Sequence, residues 1–214
     1  LITLLLIWLY TYRGGIQTVI ITDTLQTTFL LLAAGFSLWA VSQQSGLALG
    51  ELYQEMQQQG LARVFFWEGQ SPQHFLKLLL TGMLLTIMTN GLDQSVMQKH
   101  LTCRSLGDAQ KNVGVLAIIL LGVNGLFLFL GGSLYVYAGQ QGIPLPAQTD
   151  SVYPVLAIEH LGLMAGTVFL LGLTAAAYSS ADSSLTGLTT SFCVDILRVD
   201  QQAEDQPKLR QGVH

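Results

Sequence analysis

Charge is scarce in this 214-residue chain: only 10% of it is Asp, Glu, Lys or Arg, against about a quarter in a typical soluble domain. Half of the residues are hydrophobic and the mean hydropathy is +0.49, which together exclude an ordinary water-soluble domain. Basic residues are the scarcer sign, nine against 13 acidic, for a formal charge of −4. With no basic cluster to reverse that balance, nucleic acid is excluded as a partner. Cysteine is nearly absent, and Cys103 and Cys193 stand in no metal-ligand or redox spacing, so both read as free thiols rather than a disulfide. No segment of 20 to 50 residues visibly repeats. Histidine is equally sparse. His74, His100, His160 and His214 fall at span ends or in loops, where none can serve as base to a serine nucleophile in mid-span, so no enzyme is read here.

What remains is a series of apolar runs. Leu1–Tyr10 has neither initiator Met nor charged leader and reads as the tail of a span, so the chain is expected to be a fragment. A turn at Gly14-Gly15 should lead into a span over 17–41. Ser42–Gln73 is a polar break in which Glu51–Gln59 predicts an amphipathic surface helix followed by a turn at Gly60. The run 75–98 is apolar but interrupted at Thr89-Asn90-Gly91. After a basic loop over 99–111 comes a clean span, 112–137, with Asn124 near its middle. Gly139–Asp150, with Pro144 and Pro146, is a loop; Ser151–His160 should form a short helix with Pro154 in its first turn. The last span is 161–197, and 198–214 is a polar tail. The fold class is therefore all-α, a polytopic bundle of membrane helices.

The last span carries the most informative residues. Its apolar first half runs without a break into Ala175-Ala176-Ala177-Tyr178-Ser179-Ser180-Ala181-Asp182-Ser183-Ser184. At 3.6 residues per turn Ala176, Ser179, Ser180 and Ser183 share one face, with Asp182 beside it. Small side chains let another helix approach closely, and crowded oxygens suit a hard cation such as sodium. Ser and Thr on membrane helices also act as interhelical glue, but an ionisable Asp182 inside a span is a functional candidate by default. Asp23, in the first half of span 17–41, reads either as a helix-start carboxylate or as a cation ligand. The interruption in 75–98 marks a discontinuous helix, whose exposed backbone is tolerated where it lines a cavity. Thr86, Thr89, Asn90, Asp93 and Gln94 are the candidate substrate-lining residues.

Three segments carry a resemblance. Ala176–Leu185 with Val194-Asp195-Ile196, Tyr10-Thr11-Tyr12-Arg13-Gly14-Gly15 leading to Thr22-Asp23-Thr24-Leu25-Gln26, and Asp93-Gln94 with Gln98-Lys99 together resemble the solute:sodium symporter family. The resemblance covers nearly the whole chain. It implies sodium-coupled secondary transport of a small organic solute or anion, on a leucine-transporter-like inverted-repeat fold, with sodium as coupling ion and no other cofactor. It also implies that an earlier broken helix, on N-terminal spans missing here, supplies the other half of the sodium and substrate sites. Residue by residue it assigns sodium to the Ala176 carbonyl and the Ser179 and Ser180 hydroxyls. A second cation site of Asp23, Asp182 and Ser183, with Ser179, follows the pattern of some members; Asp182 stands where that pattern has Ser, which admits a proton as a second coupling ion. Lys99 stands where the pattern has Arg and loses the bidentate fork. Thr89-Asn90 replaces the aromatic gating residues of the sugar carriers, which disfavours a sugar. The competing reading is a sensor that keeps the transporter scaffold.

Alternating four crossings puts Arg13, Lys99, Arg104, Lys111 and Arg198 on one side, with Arg63 and Lys77 on the other, and the positive-inside rule makes the first side cytoplasmic. The lipid bilayer is then a partner, and the bacterial inner (plasma) membrane is the expected location. Asp23 and Ser180–Ser184 fall in the inner half of the membrane, at one vestibule.

Overall fold

A computed structural model describes residues 2–69, 72–93, 96–97, 103, 105–192 and 196. Gln94, Lys99, Arg104, Cys193, Arg198 and the tail 198–214 lie outside the described residues. Every regular element described is helical: α1 (Ile2–Ser45), α2 (Leu49–Gln58), α3 (Phe75–Gly91), α4 (Leu106–Gln141), α5 (Val152–Val155) and α6 (Leu163–Ser191). Among the described residues, three stretches are long and apolar enough to cross a membrane: Ile20–Ser45, Leu106–Gln141 and Leu163–Thr189. The all-α bundle expected from the hydropathy pattern is therefore the fold observed.

The structure departs from the sequence reading at Gly14-Gly15, where α1 continues as one helix of 44 residues. Each glycine costs a helix about 1 kcal/mol relative to alanine, less than the several kcal/mol for each backbone group that a break between two apolar runs would leave unpaired in lipid. At about 66 Å α1 is roughly twice the thickness of a bilayer's hydrocarbon core. Lys111 likewise belongs to α4 rather than to a loop. That helix starts early because the Ser105 hydroxyl accepts the Asp108 N–H at 3.2 Å and donates to its carboxylate at 2.8 Å. It stops at Gly142, whose φ of 65° suits glycine.

The short elements follow their sequence signals. α2 starts where the Glu51 carboxylate accepts the Ala48 N–H at 2.7 Å, and ends at Gly60 with φ 73°. Leu52 and Met56, one turn apart, are its buried face. The expected helix over Ser151–His160 appears as α5 flanked by a 3₁₀ turn and by a wider π-type turn, closed by the Leu161 N–H on the Leu156 carbonyl at 2.9 Å.

α1 and α6 form the most extensive helix pair, running antiparallel. Gly172 brings α6 so close that a Cβ there would lie 3.3 Å from Ala33 Cβ and from the Phe29 carbonyl oxygen. Alanines 33, 34 and 165 and Ser37 are buried along the same contact. At the Ser45 end of α1 the core gathers Leu38, Val41, Leu52, Met56, Leu134 and Leu156. There the Tyr137 hydroxyl donates to the Gln44 side-chain Oε1 at 2.7 Å, with the His160 backbone carbonyl 3.3 Å from the same hydroxyl. Ser37 and Tyr153 share a hydrogen bond of 2.9 Å; burial pushes the Tyr153 hydroxyl above its ordinary pKa, and the Ser37 bond works against that shift.

Two glycines at this end differ in what an alanine would meet. At Gly132 the nearest atom is the Met56 methyl, 2.1 Å from the added Cβ; at Gly166 it is the Ala157 carbonyl oxygen at 3.1 Å, with Ile158 Cα at 3.3 Å. A thioether can swing away and backbone cannot. Gly166→Ala should therefore destabilise by about 1–3 kcal/mol, while Gly132→Ala, with the closer contact, should stay within about 1 kcal/mol of the parent. Thermal unfolding of the two variants side by side checks the order.

Candidate cation site

At the end of the α1–α6 pair away from the packed core, the contact turns polar. Asp182 is fully buried and Ser179 is 3% exposed; facing them from α1 are Thr22 and Asp23, both half-buried. The Ser179 hydroxyl donates to the Asp23 carboxylate, and the Thr22 hydroxyl donates to Asp182 Oδ2 at 3.1 Å. Two consecutive residues of α1 thus engage two residues of α6 that are three apart, close to one helical turn. Each carboxylate is met by a hydroxyl of the opposite helix. The small residues around Gly172, two turns further along α6, set the close approach that makes these bonds possible.

Two carboxylates on facing helices repel unless positive charge accompanies them. Among the described residues no three His, Cys, Asp or Glu side chains come together, so a site for a transition metal is not assembled. Carboxylates and hydroxyls in a crowded, water-poor contact are instead the donor set of a hard cation.

The structure brings together only part of the residues singled out from the sequence. Asp23, Ser179 and Asp182 meet at one contact. Ser183 and Ala176 are half-buried on the same stretch of α6, whereas Ser180 is exposed, its carbonyl accepting the Ser184 hydroxyl at 2.8 Å. Thr22 was missed as a ligand candidate, although its position beside Asp23 in the Thr-Asp-x-x-Gln pattern was a usable signal. The substrate candidates lie elsewhere. α3 ends at Gly91, and Thr86, Thr89 and Asn90 are exposed and bond back to the Gly82, Leu85 and Thr86 carbonyls of their own helix, at 2.8, 2.9 and 3.1 Å. Asp93 Oδ1 accepts the Val96 N–H at 3.3 Å. Among the described residues these polar groups are not gathered around an enclosed space; Thr86 lines a shallow, open groove of apolar residues on α3.

The sodium:solute symporter family model matches residues 1–213. The chain belongs to the sodium:solute symporter family. It is 27% identical over 224 residues to the sodium/sialic acid symporter SiaT of Proteus mirabilis, covering 100% of this chain and 44% of that protein. The sodium/sialic acid symporter NanT of Aliivibrio fischeri is 25% identical over 95% of this chain and 41% of its own length. The sodium/glucose cotransporter of Vibrio parahaemolyticus is 25% identical over 88% of this chain and 38% of its own. The chain thus spans about two fifths of the length of these relatives. No solved structure matches it. Family membership accords with its apolar helices.

Proposed function

We propose that the protein to which this chain belongs is a sodium-coupled symporter of a small organic solute, on an inverted-repeat fold in the bacterial plasma membrane. The observation that carries this reading is the pair of carboxylate–hydroxyl contacts, Asp23 with Ser179 and Asp182 with Thr22, inside the family-matched region. Sodium passes between α1 and α6 at this contact, held by Asp23, Asp182 and the Ser179 hydroxyl. Ala176, Ser180 and Ser183, on the neighbouring arc of α6, complete the coordination with groups from further spans. Arg13, Lys99, Arg104, Lys111 and Arg198 lie on the cytoplasmic side, which makes this end of the α1–α6 pair the exit for the ion. Thr86, Thr89, Asn90, Asp93 and Gln94 face the solute when spans outside this chain close over α3.

The driving force is adequate. One charge crossing 100 mV is worth about 2.3 kcal/mol, enough for roughly fifty-fold accumulation of a neutral solute before any sodium concentration gradient is added. Relatives named for sialic acid and for glucose put both solutes at the head of a test panel. In proteoliposomes of the full-length protein, one labelled solute of the panel should accumulate with external sodium and not when choline replaces it. Equal uptake in the two media would overturn the proposal.

A further inference from the structure

The loop that leads into α3 gathers aromatic rings that neither the helix packing nor the cation site uses. Phe65 and Trp67 stack with centroids 6.3 Å apart, and both meet Phe75, the first residue of α3, at 5.1 and 5.3 Å. The cluster is pinned to the helix start by the Phe75 N–H on the Phe66 carbonyl at 2.8 Å. It is nonetheless open: Phe65 is 53% and Trp67 61% exposed, with Val64 beside them at 75%.

We infer that this loop is a bilayer-interface anchor, with Phe65, Trp67 and Phe75 seated at the boundary between lipid headgroups and acyl chains. The inference rests on the membrane embedding of the helices and not on sodium coupling. Three observations commit it to lipid. The aromatic face is continuous with the exposed row of Leu76, Leu80 and Leu84 on α3, spaced four residues apart and on the side of the helix away from Thr86 and Thr89. Lys77, the one charged residue of that helix, turns its ammonium back to the Gly69 carbonyl at 3.2 Å, toward the loop rather than the helix centre. A lysine that snorkels in this way marks the direction of water, and aromatic residues sit at that level of a bilayer. The loop's other cation is already engaged: Arg63 is 2.5 Å from Glu68 and 4.6 Å from the Phe66 ring centroid, and it holds the Glu68 carboxyl below its ordinary pKa. An anionic solute docking on the rings would find that charge neutralised.

The test is the emission of Trp67, isolated as the difference between the reconstituted protein and its Trp67→Phe variant, and again in a Trp8→Phe, Trp39→Phe background. In vesicles of brominated phosphatidylcholine the emission should be blue-shifted. It should be quenched most by bromines placed just under the headgroups, and shielded from aqueous iodide. Quenching by iodide with none by lipid would overturn the inference, as would quenching only by bromines at the bilayer centre. Protection of Trp67 from iodide by added sialic acid or glucose would also overturn it, making the rings a solute platform. None of these readouts requires transport, so failure of the symport reading leaves the test intact.

Discussion

Asp182→Leu should raise the sodium concentration needed for half-maximal uptake by at least about tenfold, or abolish sodium dependence. The side chain is fully buried against α1 and its Oδ2 accepts the Thr22 hydroxyl at 3.1 Å. A carboxylate about 4 Å from a monovalent cation, in surroundings of intermediate polarity, contributes roughly 4 kcal/mol of attraction. Tenfold in affinity needs only about 1.4 kcal/mol, so even a strongly screened interaction leaves a measurable loss. Leucine is larger and removes both charge and acceptor; Asp182→Asn, close to Asp in size, keeps an acceptor and should preserve folding while still losing sodium affinity. Sodium-activation curves of uptake for the two variants separate the charge from the hydrogen bond.

The second large effect is at Gly172, which touches no ion. Its missing Cβ is what allows α6 to lie so close to α1, since a Cβ added there would be 3.3 Å from Ala33 Cβ and from the Phe29 carbonyl oxygen. Gly172→Leu would force the helices apart two turns from Ser179 and should cost more than about 3 kcal/mol, at the upper end of overpacking penalties. The expected result is loss of folded protein in detergent and of uptake. Gly172→Ala, which asks the neighbours to give by only a few tenths of an ångström, should survive with a lower thermal midpoint and weaker sodium affinity. A Gly172→Ala protein with parental stability and sodium affinity would show that close helix approach does not set the site.

Much of this was legible in the sequence because the decisive quantities are local. Hydropathy runs marked the apolar helices, three of which among the described residues are long enough to span a membrane, and spacings of three and four on one helix placed Ser179 beside Asp182. The alternation of Leu52 and Met56 with glutamines marked α2 as amphipathic, as the buried pair confirms. Less legible was anything that depends on which neighbour a helix meets. Ser179 and Ser180 are consecutive in sequence but about 100° apart around the helix, and one is buried against α1 while the other is exposed, because α1 covers only one edge of the serine arc. The role of Thr22 needed the antiparallel register of α1 and α6, which the closeness of Gly172 to Phe29 and Ala33 fixes and no local pattern encodes. Gly14-Gly15 misled because a glycine pair lowers helix stability by only about 2 kcal/mol and does not end a helix between apolar runs, where backbone groups need partners inside the helix.

The central claim is that the Thr22–Asp23 and Ser179–Asp182 contact carries sodium. Its most direct test is equilibrium binding of radioactive sodium to the purified full-length protein, with the Asp23→Asn and Asp182→Ser variants measured alongside. The account predicts that each variant binds one ion fewer, or binds sodium at least about tenfold more weakly, with its folded fraction unchanged. The same number of ions bound at the same affinity in both variants would contradict it.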